Sequence, residues 1–271
     1  MDAAAALSGL LGKVNFTEVL LELALVMGRT LPLTLITPFL GGDLVPSEVK
    51  LGVGITLSMI LFPLVGAGVP VPIFAFPFVA LLLKEVAIGG VLAFTASMIF
   101  EACRAAGTFV DTMSGANMAT AMVPEIQQQA SLFANLQFQM AVVLFLALDG
   151  HHVVITALAD SFGLIPINGY PHFAHGVWPF FDLMMRLTAN LMVVCVALAA
   201  PAAAASFLTD VAMGLVNRVA PQIQVYFLSM GLKPVAVILM MMMALDVFSG
   251  ELVRQFHSTL DDVQRSMLLM K

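Results

Sequence analysis

FTEVLLELALVMGRTLPLTLITPFL, residues 16–40, is an apolar run longer than the ~20 residues an α-helix needs to cross a hydrocarbon core. Arg29, Pro32 and Pro38 are its breaks in pattern. Gly41-Gly42-Asp43 ends it, and Pro46, whose missing N–H costs nothing in a first turn, opens a second helix through Val49 to about Val65. The opening of the chain therefore reads as a helical hairpin. Gly66 to Pro72 is a turn, and a long helical stretch follows from Ile73 to about Phe109. It holds Pro77, Lys84, Glu85, Glu101 and Arg104, and it is too long for one simple span.

Further along, Gly107 to Pro124 interleaves small residues with methionine: Gly107, Asp111, Met113, Gly115, Met118, Ala119, Met122. Glu125 to Gln139 is polar on one side, and Ala141 to Leu148 is apolar again. Asp149-Gly150-His151-His152 interrupts the run before a short helix from Val153 to Phe162. Pro166, Asn168-Gly169 and Pro171 form the clearest loop of the chain. A helix runs from Pro179 through Ala200 to Pro201-Ala202-Ala203-Ala204-Ala205, the last apolar block, about Val211 to Phe248, is expected to break near Pro221 and Pro234, and both are expected to be kinked. Residues 251–271 read as a polar amphipathic tail, exposed at the surface, with Leu260, Val263, Met267 and Leu268 on one face. No strand alternation appears. The fold class is all-α, a polytopic membrane-type array of helical hairpins and kinked apolar helices, and residues 1–271 read as one domain.

Composition supports this reading. Of 271 residues 61% are hydrophobic and 10% charged, with mean hydropathy +1.01, whereas soluble domains carry about 25% charged residues. The net charge of −6 includes no basic block, which excludes nucleic acid as a partner. The N-terminus lacks the basic n-region and cleavage site of a secretory signal and is expected to be retained. Cys103 and Cys195 lie far apart in apolar stretches and read as buried free thiols.

Sites for chemistry are sparse. His151 and His152 are adjacent, so on a helix they point about 100° apart, and His172 and His175 sit in a loop beside Pro171; neither pair specifies a metal. No phosphate loop or His-Glu-x-x-His motif occurs, so no cofactor, metal or enzymatic activity is expected. Ionisable groups inside apolar helices are the stronger signal, because a charge at bilayer depth faces protein or a watery cavity. Arg29, Lys84, Glu85, Asp149, Asp182, Asp210, Lys233 and Asp246 qualify. Pairing with neighbouring subunits is favoured over an ion pathway. Gly107, Asp111, Gly115 and Ala119 share one helix face, which lets another helix approach closely. The methionines beside them are flexible enough to seal around varied contents, as a deformable gasket would.

In order along the chain, Arg29, Pro38, Pro46-Ser47-Glu48-Val49-Lys50 and Pro63, then Lys84-Glu85 with Gly89, then Gly107, Asp111 and Gly115, form a recognisable set. Ala119-Thr120 and Pro124, Asp149-Gly150-His151, and Asn217-Arg218-Val219-Ala220-Pro221-Gln222 complete it. From about Met27 to Ala244 the chain resembles the family of the R component of the flagellar type III export gate (FliR), whose injectisome counterpart is the T component (SctT). Two positions depart from the flagellar pattern: Val123 stands before the loop proline, and Ser229-Met230-Gly231 replaces a Gly-Phe-Pro turn. Gly150-His151 and Ser161-Phe162 with Pro166 look more like the flagellar branch.

The resemblance implies a non-enzymatic channel subunit in the bacterial inner membrane, within the flagellar basal body, part of which rises on the periplasmic side. It implies assembly with the P and Q components (FliP and FliQ), with FlhB and FlhA nearby, around a path for unfolded secreted proteins. Membrane lipid is the other partner. On this reading Gly107, Asp111, Met113, Gly115, Met118, Met122 and Pro124 form a plug in that path, and Arg29, Pro46, Lys50, Lys84, Glu85, Asn217, Arg218, Pro221 and Gln222 serve structure and assembly. The turn at Pro221 is expected to be a hydrogen-bonded corner closed by Arg218 or Gln222. The alternatives are the injectisome T component and, from another class, a self-sufficient ion- or proton-coupled transporter.

Overall fold

A computed structural model describes residues 16–41, 45–65, 75–115, 131–171, 176–222 and 224–269. These residues form nine α-helices and no strand: α1 (Phe16–Ile36), α2 (Pro38–Gly41), α3 (Ser47–Val65), α4 (Ala75–Ser114), α5 (Leu132–Ala147), α6 (Gly150–Leu164), α7 (Trp178–Val219), α8 (Val225–Met243) and α9 (Leu245–Leu269). Five of them, α1, α3, α4, α7 and α8, are long and apolar enough to cross a membrane, and α5 with α6 would make a sixth, broken span. The first hairpin, the long helix over Lys84 and Glu85, and the all-α class agree with the sequence pattern.

Proline placement differs from expectation. α7 continues through Pro201, and α8 runs through Pro234 to Met243, breaking only at Ala244. Pro32 and Pro63 also lie inside helices. In an apolar setting a broken helix exposes carbonyls that no water satisfies, so helices tolerate prolines that would end them in solution. Around Pro201 the residues Ala199, Ala200 and Ala202 to Ala205 carry the best intrinsic helix propensity. α7 does end at Val219, ahead of Pro221, as the sequence suggests.

The described chain forms two compact units. Residues 1–97, 150–183 and 260–271 make the first, and residues 98–149 and 184–259 the second. Each draws on separated segments, which is why no linker shows in the sequence. In the first unit α1 and α3 pack through small polar residues. A Cβ on Gly54 would meet Thr34 Oγ1 at 2.7 Å, and Ser58 and Thr30 share a hydrogen bond. Pro46 stands just outside α3, its carbonyl accepting the amides of Val49 and Lys50 at 3.1 and 3.2 Å. Ile88 and Ile165 form a small core with Val91, Leu164 and Phe180.

In the second unit Phe100 is the aromatic centre, with Phe138, Phe145 and Phe256 at centroid distances of 6.5, 5.2 and 5.8 Å. Phe256 belongs to α9, so the expected exposed tail instead presents a buried face: Phe248, Leu252 and Phe256 in this unit, Val263, Ser266 and Met267 in the other. Leu268 points outward, off that face. Met242 and Met243 of α8 are exposed and Met241 buried, consistent with filler facing lipid or partner. Cys103 and Cys195 are free thiols.

Candidate functional site

At two places on α4, Glu85 with Gly89 and Gly107 with Asp111, a carboxylate and a glycine four residues away serve a close helix approach. On α4, Glu85 and Gly89 lie one turn apart and face α1. A Cβ on Gly89 would stand 2.2 Å from the Arg29 carbonyl oxygen, and one on Gly28 would stand 2.9 Å from Leu82 Cδ1. The two backbones can meet there only because both positions lack a side chain. That approach brings Arg29 to Glu85.

Arg29 is fully buried. Its Nε donates to Glu85 Oε2 at 2.5 Å, Nη1 to Ser161 Oγ at 3.0 Å, and Nη2 to the Ile165 carbonyl at 2.9 Å. Ser161 in turn donates to the Leu158 carbonyl at 2.6 Å, and the guanidinium lies 4.2 Å from the Phe162 ring centroid. Glu85, also fully buried, has its other oxygen 2.6 Å from Lys84 Nζ, an ion pair outside hydrogen-bond geometry. Lys84 Nζ further reaches the carbonyls of Pro166, Ile167 and Gly169 at 3.0, 3.1 and 2.8 Å. Two cations thus end α6 and hold the loop after it, where helix carbonyls are left without amide partners and the dipole favours positive charge.

The sequence pattern favoured pairing of these charges with neighbouring subunits. Instead Arg29, Glu85 and Lys84 satisfy one another inside the chain. Lys233 likewise meets Asp210 at 2.7 Å, with side chains 21% and 53% exposed.

The second pair lies on α4 at Gly107 and Asp111. A Cβ on Gly107 would fall 2.3 Å from Ala134 Cα, so the start of α5 rests directly on this glycine. Asp111, fully buried, accepts the backbone N–H of Phe133 at 3.1 Å and of Ala134 at 3.2 Å. It satisfies two amides of α5's first turn from a neighbouring helix, the role a side-chain N-cap usually fills from within the chain. Ser131 provides no such bond. Two of the residues expected in a plug are therefore packing and capping groups at the foot of the segment. Arg104, one turn earlier, lies 4.1 Å from the Phe138 ring centroid.

α4 ends at Ser114, and Gly115 follows with φ of 76°, a left-handed conformation natural to a residue beyond a helix end. Met113 is 43% exposed, and its carbonyl accepts Ser206 Oγ of α7 at 2.6 Å. Met118, Met122 and Pro124 lie outside the described residues, as do His172 and His175. Of the polar side expected over Glu125 to Gln139, the part to Ala130 lies outside them too, while Gln137 is fully buried with Nε2 at 4.0 Å from Met241 Sδ.

The Asn217 to Gln222 signature spans the last residues of α7 and the turn that follows it. Ala220 N–H closes on the Val216 carbonyl at 2.8 Å, and Asn217 and Pro221 line an open cleft with Asp210, Gln224, Tyr226 and Ser229. Among the described residues no side-chain hydrogen bond from Arg218 or Gln222 closes this turn; both side chains are exposed, where water can serve the free carbonyls. His151 and His152 lie side by side at the start of α6, ring centroids 4.2 Å apart. Lys50 is half-buried on α3.

The geometry holds helices together; it assembles no nucleophile with a base among the described residues. Comparison with known proteins agrees with an export role. The family model described as bacterial export proteins, family 1, matches residues 20–259. The chain is 30% identical over 198 residues to the flagellar biosynthetic protein FliR of Escherichia coli (strain K12), covering 73% of this chain and 74% of that one. It is 25% identical to FliR of Bacillus subtilis (strain 168), covering 86% and 89%. It is 30% identical over 230 residues to the secretion system apparatus protein SsaT of Salmonella typhimurium, covering 84% and 88%. With an array of apolar helices, buried charges spent on packing, and a match along nearly the whole chain, this protein belongs to the bacterial export proteins of family 1, the FliR/SctT components of type III export apparatuses.

Proposed function

We propose that the chain is the R-type subunit of a flagellar export gate in the bacterial inner membrane. It assembles with P and Q components (FliP and FliQ), beside FlhB and FlhA, around a path for unfolded proteins, and performs no catalysis itself. The apolar surfaces left exposed on α3, α7 and α8 are the faces that such partners and lipid would cover. The single observation that carries a gating role is the clasp at Asp111. Because its carboxylate holds the first turn of α5, the chain that leaves α4 after Gly115 returns beside the same turn at Ser131. Met113 at the end of α4, with Met118 and Met122 in the sequence that follows, would supply side chains that exclude water yet repack easily.

The test is electrical. Complexes matched for subunit content and carrying Met113→Ala, Met118→Ala and Met122→Ala together should assemble, continue to export, and pass more resting current in a bilayer than wild type. An unchanged closed-state current removes the gate. A second reading, the T component of an injectisome, is favoured by the long match to SsaT. Complementation decides between them: restored motility in a strain lacking its flagellar R component supports the flagellar assignment, and restored effector secretion alone supports the other.

A further inference from the structure

We propose that Asp149, His151 and His152, at the break between α5 and α6, form a binding site for a divalent transition-metal ion of the zinc class. On sequence alone the two histidines fall short of a site, because neighbours on a helix point about 100° apart and two ligands do not specify a metal. The structure adds a third donor. One ligand atom from each of Asp149, His151 and His152 lies within 4.8 Å of the other two. The two rings stand 4.2 Å apart, tilted by 38°, and Asp149 takes a φ of 56°, a left-handed conformation uncommon for a residue with a side chain.

The donor set selects the ion. Two imidazoles with one carboxylate suit zinc, nickel and copper, whereas magnesium and calcium take oxygen ligands. Zinc holds such ligands at about 2.0–2.2 Å, which in a tetrahedron sets them about 3.4 Å apart, so rotation of the side chains closes the remaining distance. Asp149 and His152 are exposed and His151 is half-buried, which leaves an entry for the ion and room for water to complete its shell. His151 Nδ1 is shielded and meets no hydrogen-bond partner, and such an atom in a native fold marks the place of a water or an ion. The first turn of a helix disfavours a cation, but the Asp149 carboxylate stands directly before that turn of α6 and offsets the dipole while it serves as the anionic ligand.

The competing account is an ordinary turn, with the Asp149 carboxylate serving the amides of α6 and two histidines adjacent by accident of sequence. Metal binding separates the two. Assembled complexes of the full-length chain with its partner subunits are stripped with EDTA, returned to metal-free buffer and titrated with zinc chloride. Complexes carrying Asp149→Asn, His151→Ala or His152→Ala are titrated alongside. Asparagine tolerates the left-handed backbone and His152 is exposed, so D149N and H152A keep the fold even where H151A does not.

Wild type should bind one zinc equivalent per copy of this chain that each variant binds at least about tenfold more weakly, since outer partners of a metal alone are worth about 10–100-fold. Zinc held elsewhere in the complex is common to all and cancels. With copper(II) in place of zinc, the electron paramagnetic resonance signal that D149N weakens should show coupling to two imidazole nitrogens, and H152A should reduce it to one. The proposal is overturned if wild type, D149N and H152A bind the same number of zinc equivalents with the same affinity, or if H152A leaves the copper spectrum unchanged.

Discussion

Replacing Glu85 with alanine should be among the most damaging single changes in the chain. The carboxylate is fully buried and serves two cations at once, Arg29 on one oxygen and Lys84 on the other. Its removal leaves both positive charges in a site without water, repelling each other. Truncating one partner of a buried ion pair costs about 3–5 kcal/mol, mostly the penalty of the charge left behind. At about 2–4 °C per kcal/mol for a chain of this size, the unfolding temperature should fall by roughly 10 °C. Arg29 keeps Ser161 and the Ile165 carbonyl, and Lys84 keeps three loop carbonyls, so the loss should sit at the lower end of that range. The assay is thermal unfolding of the full-length chain with its partner subunits, alongside complex yield from membranes. Glu85→Gln retains the shape and one acceptor oxygen and should fall between wild type and Glu85→Ala. The double variant Arg29→Met with Glu85→Met, which removes the pair together, should be less impaired than Glu85→Ala alone. Wild-type unfolding of Glu85→Ala, or a double variant worse than the sum of its singles, would refute the reasoning.

Gly107→Ala forces a methyl to within 2.3 Å of the Ala134 backbone and should cost about 1–3 kcal/mol or more of stability, seen as lower complex yield. Asp111→Ala should cost about 1–3 kcal/mol, through two buried amides left unsatisfied, and Asp111→Asn less, with protease sensitivity at the start of α5 as the readout. Lys233→Ala should lower the unfolding temperature less than Glu85→Ala, because the chain encloses its pair with Asp210 only in part, the side chains being 21% and 53% exposed. On α9 the Glu251 carboxyl is held below its ordinary value of 4.5, first by the Gln255 hydrogen bond and then by Arg254. Its contribution is therefore present above pH 4.5 and lost as the pH falls through the lower folded value; Glu251→Gln should remove that part of the acid dependence of unfolding.

The helices were legible because their signal is composition: runs of apolar residues longer than a bilayer core leave few alternatives. Their ends were less so. Pro234 read as a break because proline removes an N–H, yet the apolar surroundings make a broken helix costlier than a retained one. For the charges, the sequence singled out Arg29, Lys84 and Glu85 for structure and assembly but gave no sign that they meet. Arg29 and Glu85 are separated by 56 positions, and the meeting depends on Gly89, whose role is visible only when the Arg29 backbone lies against it. The spacing of Gly107 and Asp111 was read as a helix face for close approach, and that is what the structure shows. What the pattern missed was the identity of the approaching element: amides at the start of α5, supplied by backbone and therefore silent in side-chain motifs. Ser161, Phe162 and Ile165 were likewise beyond reach as partners of Arg29, since a hydroxyl, a ring and a carbonyl carry no distinctive spacing.

The interleaving of segments in the two units bears on how the chain is made. A ribosome delivers residues in order, but the first unit takes residues from 1–97, 150–183 and 260–271, and the second closes its own set only at residue 259. Neither unit can therefore reach its native packing while synthesis is under way at the middle of the chain. Arg29 in particular enters the membrane machinery long before Ser161 and the Ile165 carbonyl exist, with a polar head to shelter and only Glu85, itself later, to meet it. A chain stalled between residues 85 and 165 would hold Glu85 to pair with Arg29 but would lack Ser161 and the Ile165 carbonyl, leaving two of the guanidinium nitrogens without their acceptors.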